Sequence, residues 1–141
     1  MTRRRRVPVV ITAVIVAFLL TTSSAFAVVT HSYVSTWSQT TAQYSGTARV
    51  YSGHHINIQF NAGSTGNGTF TIEVFKEECA GPICVYTIVG GAGNCSYNGF
   101  CGLSWNIALD PNIKYGFRFR KPADGINVHS TNQVQMWSTE P

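Results

Sequence analysis

Apolar and polar residues alternate one by one in five separate runs of this chain. Ile56, Ile58 and Phe60 alternate with Asn57 and Gln59, and Phe70, Ile72 and Val74 with Thr71 and Glu73. Leu103, Trp105 and Ile107 alternate with Ser104 and Asn106, and Tyr115, Phe117 and Phe119 with Gly116, Arg118 and Arg120. Val134 and Met136 alternate with Gln133 and Gln135. A period of two places each run on a strand with one buried and one wetted face, as antiparallel sheets require. A slip of one residue would bury Glu73 or Arg118, so the pattern also specifies register. No segment after residue 27 keeps a helical period for three turns.

The punctuation between these runs is turn chemistry: the Gly-rich stretch at 63–68, Gly90-Gly-Ala-Gly93, Asp110-Pro-Asn112 and Ala123-Asp-Gly125. Strands at about ten-residue intervals with glycine-rich corners predict an all-β fold, a single antiparallel β-sandwich of about eight strands. A small closed barrel is the alternative.

The N-terminus follows a different rule. Arg3 to Arg6 form a cationic block, residues 7–20 carry no charge, and Ser-Ser-Ala-Phe-Ala follows, with Ala25 and Ala27 at the small-residue positions. This is the layout of a secretory signal peptide over residues 1–27, cleaved after Ala27. A segment of fourteen residues would span only about 21 Å as a helix, against roughly 30 Å of hydrocarbon, which argues against a membrane anchor. The mature chain is expected outside the cell. Residues 28–43 hold no Asp, Glu, Lys or Arg and are rich in Ser and Thr. They are expected as an extended N-terminal arm preceding a β-sandwich domain at 44–141. Tyr33, Ser35 and Trp37 would share one face of that arm and could dock into a partner's cleft or sheet edge. The simpler alternative is a frayed end whose Trp37 tucks against the sandwich.

Charge then changes its meaning. The formal net charge of +4 is supplied by the four arginines of the signal segment. The six later cations (Arg49, Lys76, Lys114, Arg118, Arg120 and Lys121) are matched by six carboxylates. The basic isoelectric point is therefore no sign of nucleic-acid binding.

Cys79, Cys84, Cys95 and Cys101 make an even set in an exported chain and read as two disulfides. The spacings lack the two-residue step of zinc knuckles, so no metal is expected. Local pairs, Cys79–Cys84 and Cys95–Cys101, suit the turns at Ala80-Gly-Pro82 and Asn98-Gly99. Nested pairing, Cys79–Cys101 with Cys84–Cys95, is the rival.

No catalytic constellation emerges. His54 and His55 are adjacent and would point to opposite faces of a strand. His129 follows Asp124 by five residues beside Ser130, without a nucleophile elbow. Glu77 and Glu78 stand side by side, whereas a glycosidase pair faces across its substrate. Gly90-Gly-Ala-Gly93 lacks the lysine and helix of a phosphate cradle.

Binding residues are easier to name. Trp105 lies on an apolar register and is expected in the core, whereas Trp137 shares the polar face of Gln133 and Gln135. There an exposed indole could stack on a sugar or anchor a protein. Tyr97 and Phe100, between Cys95 and Cys101, are expected to be displayed on a rigid knuckle, which lowers the ordering cost of association.

The arginine run, the alanine-rich cleavage region and the charge-poor mature chain are similar to small secreted actinobacterial proteins. Two such groups, the enediyne-binding apoproteins and the subtilisin inhibitors, share the size and two disulfides. The apoproteins lack the Tyr115-Gly-Phe-Arg-Phe119 and Val134-Gln-Met-Trp137 patterns, and no inhibitor reactive loop is recognisable. In its layout of signal peptide, uncharged arm (30–43) and disulfide-bearing β domain (44–141), the chain resembles the small adaptor subunit of umbrella toxin particles. That adaptor ties a lectin subunit to the stalk of a large toxin. The resemblance implies an arm seated in the lectin partner's cleft and a sandwich that grips the toxin.

The sequence thus predicts a secreted, non-catalytic protein-binding module, acting through its arm and a sheet face. It needs no cofactor, binds no nucleic acid and, after signal cleavage, meets no membrane. The alternatives are a carbohydrate- or small-molecule-binding sandwich built on Trp137, and an inhibitor of a secreted protease acting through the cysteine-bounded loops.

Overall fold

The structure, a computed structural model, describes residues 27–140, so the expected signal peptide lies outside the described residues except for Ala27. Eleven strands follow in order. They are β1 (Val29–Ser35), β2 (Ser38–Gln39), β3 (Gln43–Ser45), β4 (Arg49–Val50), β5 (Gly53–Ser64) and β6 (Thr69–Ala80). Then come β7 (Ile83–Ser96), β8 (Gly99–Leu109), β9 (Lys114–Arg120), β10 (Val128–Ser130) and β11 (Val134–Thr139). Seven are long and four are pieces of two or three residues, close to the eight expected. All the pairings are antiparallel.

The strands form two sheets. In the six-stranded sheet β5 is central, with β8 along one edge. Its other edge is shared by β11, opposite residues 55–59, and β10, opposite residues 62–64. β1 lies outside β11, and β2 outside β10. In the five-stranded sheet β9 lies between β6 and the short pair β3 and β4, and β7 lies outside β6.

The inner faces carry the predicted apolar registers. Ile56, Ile58 and Phe60 meet Phe70, Ile72 and Val74 in one core with Tyr115, Phe117 and Phe119. Outward, Glu73 and Arg118 stand directly opposite each other, and the Arg118 Nη2 lies 2.7 Å from Glu73 Oε2. The register argument from these two charges holds.

One expectation is corrected. The segment expected as a free arm is paired into both sheets: β1 onto β11, β2 onto β10 and β3 onto β9. Trp37 is 4% exposed and stacks on Phe119 with ring centroids 4.6 Å apart, flanked by Phe60 and Phe70. Pairing at a sheet edge is made by the backbone, so it leaves no apolar signature in a Ser/Thr-rich segment. Tyr33 completes the closure. Its hydroxyl donates to the Val50 carbonyl at 2.8 Å, and the Arg49 guanidinium lies 5.0 Å from its ring centre.

The disulfides are the local pairs, Cys79–Cys84 and Cys95–Cys101, and the nested pairing is excluded. The second joins β7 of one sheet to β8 of the other. Farther along the same two strands, Trp105 Nε1 donates to the Gly91 carbonyl at 2.6 Å. Trp105 is thus only partly buried, because β8 is an edge strand and its indole spans the seam between the sheets.

Candidate functional site

Strand β6 carries one residue that breaks its alternation. Phe70, Ile72 and Val74 point inward, so Phe75 takes an outward position beside Glu73 and Glu77. Yet Phe75 is only 3% exposed. Its cross-strand neighbour on β9 is Gly116, and a Cβ there would lie 2.4 Å from the ring. The missing side chain lets the ring lie flat on the outer face of the sheet. Tyr86 and Ile88 of β7 flank it on one side, with the Phe75 and Tyr86 ring centres 5.5 Å apart. The stretch 45–48 between β3 and β4 flanks it on the other.

The result is a cleft of about 570 Å³, floored by Phe75 and bordered by Tyr86, Ile88, Glu77, Lys114 and Arg118. That volume and the mix of an aromatic floor with a few polar groups are those of binding pockets. Arg118 is held in place by Glu73, which accepts from its Nε at 2.8 Å as well as from its Nη2.

From the cleft, β6 and β7 run on as a two-stranded ribbon closed by Cys79–Cys84. Along it Ile83, Val85 and Tyr86 are 70%, 59% and 62% exposed, and Ile88 and Val89 are also exposed. Over this stretch β7 is paired only with β6. A long edge strand bearing apolar side chains is a surface that proteins normally blunt with charge or proline. Here it is left bare.

The sequence-predicted site residues scatter. Tyr33 is half-buried at the closing seam, and Ser35 is exposed at the end of β1. Trp37 belongs to the core. Tyr97, expected on display, is fully buried, and its hydroxyl donates to Asp124 Oδ2 at 2.6 Å. Phe100, on the far side of the turn at Gly99, is 69% exposed. The knuckle therefore sends one ring inward and one outward, since Gly99 reverses the chain at φ 107°. Trp137 is half-buried on the outer face of the six-stranded sheet. Among the expected partner residues, Ser35, Phe100 and Trp137 remain on the surface, and none borders the cleft.

Missed were Phe75, Tyr86 and Ile88. A phenylalanine at a polar register position of β6 was the available signal.

Other candidate chemistry is absorbed structurally. Glu77 approaches both sulfurs of Cys79 and Cys84, but those sulfurs are bonded to each other, leaving one carboxylate as a ligand. Asp124 is engaged by Tyr97, by the buried ammonium of Lys121 and by the Ile126 amide, and does not orient His129. The Lys121 and Tyr97 hydrogen bonds hold the Asp124 carboxyl down at about 2. Burial first, then Asp124, pushes the Tyr97 hydroxyl up to about 12.

The signs of these shifts predict a stability profile. A depressed carboxyl stabilises the fold above its ordinary value of 3.8 and loses that contribution as pH falls toward 2. A raised phenol stabilises below its ordinary value of 10.0 and loses it as pH climbs toward 12. Melting temperatures should therefore fall at both extremes. Asp124→Asn should flatten the acid limb, and an acid limb that stays unchanged would reject this network as its source.

Compared with known proteins, the chain matches no protein-family model, no curated protein and no solved structure.

Proposed function

We propose that this chain is a secreted, non-catalytic protein-binding module of an exported assembly, in the role that umbrella-toxin adaptor subunits represent. The observation that carries the reading is the unpaired edge of β7, whose exposed Tyr86 and Ile88 border the cleft over Phe75 while its exposed Ile83 and Val85 stand on the other face of the ribbon. An extended partner segment can add itself to such an edge, taking affinity from main-chain hydrogen bonds and specificity from alternate side chains. The Cys79–Cys84 bridge at the ribbon tip pre-orders the surface, so little conformational entropy is lost on docking. Two disulfides accord with an oxidising space outside the cell. The contact moves from the expected arm, whose strands are committed within the sandwich, to the opposite edge of the fold.

The test is recovery of C-terminally tagged protein from the culture supernatant of its native host, followed by sizing and mass spectrometry. A stoichiometric complex larger than the mature chain is expected. Ile83→Lys with Val85→Lys should weaken it by about tenfold or more while leaving the melting temperature unchanged. A lone species, or a complex indifferent to both lysines, would refute the reading.

A further inference from the structure

Charge is divided unequally between the two sheets. The six strands β1, β2, β5, β8, β10 and β11 contain not one Asp, Glu, Lys or Arg. The five-stranded sheet holds Arg49, Glu73, Lys76, Glu77, Glu78, Lys114, Arg118 and Arg120. Solubility alone would favour charges on both outer faces. The outer face of the six-stranded sheet has amides and hydroxyls instead, together with the imidazoles of His55 and His129 and the apolar side chains of Val34, Phe100 and Trp137.

Its side chains stand in register. One row crosses from Ser32 through Trp137 and Asn57 to Ser104, and the next from Val34 through Gln135 and Gln59 to Gly102. Asn61 and Phe100 form a third. Trp137, Val29, Ser32, Val34, Gln59 and Gln135 line a shallow recess of about 280 Å³. Gln59 Nε2 donates to Gln135 Oε1 at 2.6 Å, and Asn57 Nδ2 to the Trp137 carbonyl at 3.3 Å. These bonds hold the amides in place and leave the Gln59 oxygen as an acceptor and the Gln135 nitrogen as a donor. Phe100 lies over Gly102, where a Cβ would meet its ring at 2.7 Å.

We propose that this face binds a neutral glycan chain, with Trp137 as the stacking platform and Gln59 and Gln135 as the hydroxyl-reading groups. A sugar hydroxyl both donates and accepts, and uncharged amides and hydroxyls offer both roles without an ion to desolvate. The half-buried indole of Trp137 lines the recess and offers apolar surface of the kind that a sugar ring's C–H face needs. Strand spacings put Trp137 and Phe100 roughly 16 Å apart, a separation that suits an extended chain better than a monosaccharide. The strands of this face hold none of the Lys or Arg side chains that an anionic polymer would require.

Affinity electrophoresis of the purified protein in gels containing laminarin, xyloglucan or galactomannan, with alginate as an anionic comparison, tests the proposal. Retardation by at least one neutral glycan, insensitive to added salt, is expected. Trp137→Ala should reduce it by about tenfold or more, and Gln59→Ala or Gln135→Ala by roughly threefold to tenfold. The two glutamines, Gln135 exposed and Gln59 half-buried, keep the test valid should the tryptophan variant fold poorly. Arg120→Ala, on the other sheet, should change nothing. No retardation by any neutral glycan, retardation by alginate alone, or retardation unaffected by the glutamine variants would each overturn the proposal. It would also be overturned if Trp137→Ala left the gels unchanged and instead dissolved a co-purified protein complex.

Discussion

Trp37→Ala is expected to lower the melting temperature by roughly 10–20 °C. Emptying a buried tryptophan site costs about 3–5 kcal/mol, and a domain of this length shifts by about 4 °C per kcal/mol. The indole fits that range because it is almost wholly enclosed, with Phe60, Phe70 and Phe119 all within 5.4 Å between ring centres. Trp37→Phe should cost much less. The indole Nε1 is buried without a hydrogen-bond partner, and phenylalanine removes that unpaired donor while keeping most of the packing. Removing residues 28–39 should unfold the domain, since it takes away β1, β2 and the indole together. A truncated chain that melts like the full one would restore the free arm and sink this account. Thermal denaturation followed by near-ultraviolet circular dichroism reads all three cases.

What was legible in the sequence follows from which interactions leave a side-chain trace. Alternation at 56–60, 70–74, 115–119 and 134–136 marked the inner faces, because each apolar residue there enters the core. β1 left no such trace, since its hydrogen bonds to β11 are made by the backbone and its outward residues Ser32 and Val34 need no pattern. Tyr97 and Phe100 carry equal apolar weight in the sequence. Only the glycine turn between them decides that Tyr97 enters the core and finds Asp124, 27 residues along the chain. Trp137 was placed correctly on the polar face by its parity with Gln135. The amide rows around it were not visible, because they are assembled from β1, β11, β5 and β8 by register across four strands. Phe75 was the most accessible omission, since its position contradicts the period that otherwise explains β6.

The two disulfides should differ sharply when removed, despite closing loops of similar length. Their sequence separations are 5 and 6 residues, for which the chain-entropy relation gives about 2 kcal/mol each. That value assumes the native state gains nothing when the bond is lost. The assumption holds for Cys95 and Cys101, which are 7% and 2% exposed and fixed by core packing on both sheets. Cys95→Ala with Cys101→Ala should thus forfeit the full term and leave a void between β7 and β8. The expected cost is about 2–5 kcal/mol, or roughly 8–20 °C in melting temperature. Cys79 and Cys84 sit at the tip of a ribbon with no core residue beyond Phe75. Without their bond the native tip can fray and recover much of the same entropy, so the melting temperature should move by only a few degrees. The consequence there is functional. A frayed edge must be re-ordered on docking, so Cys79→Ala with Cys84→Ala should weaken partner binding while the fold persists. Equal losses of stability for the two pairs would show that the ribbon is integral to the core, and would count against its role as a separate docking edge.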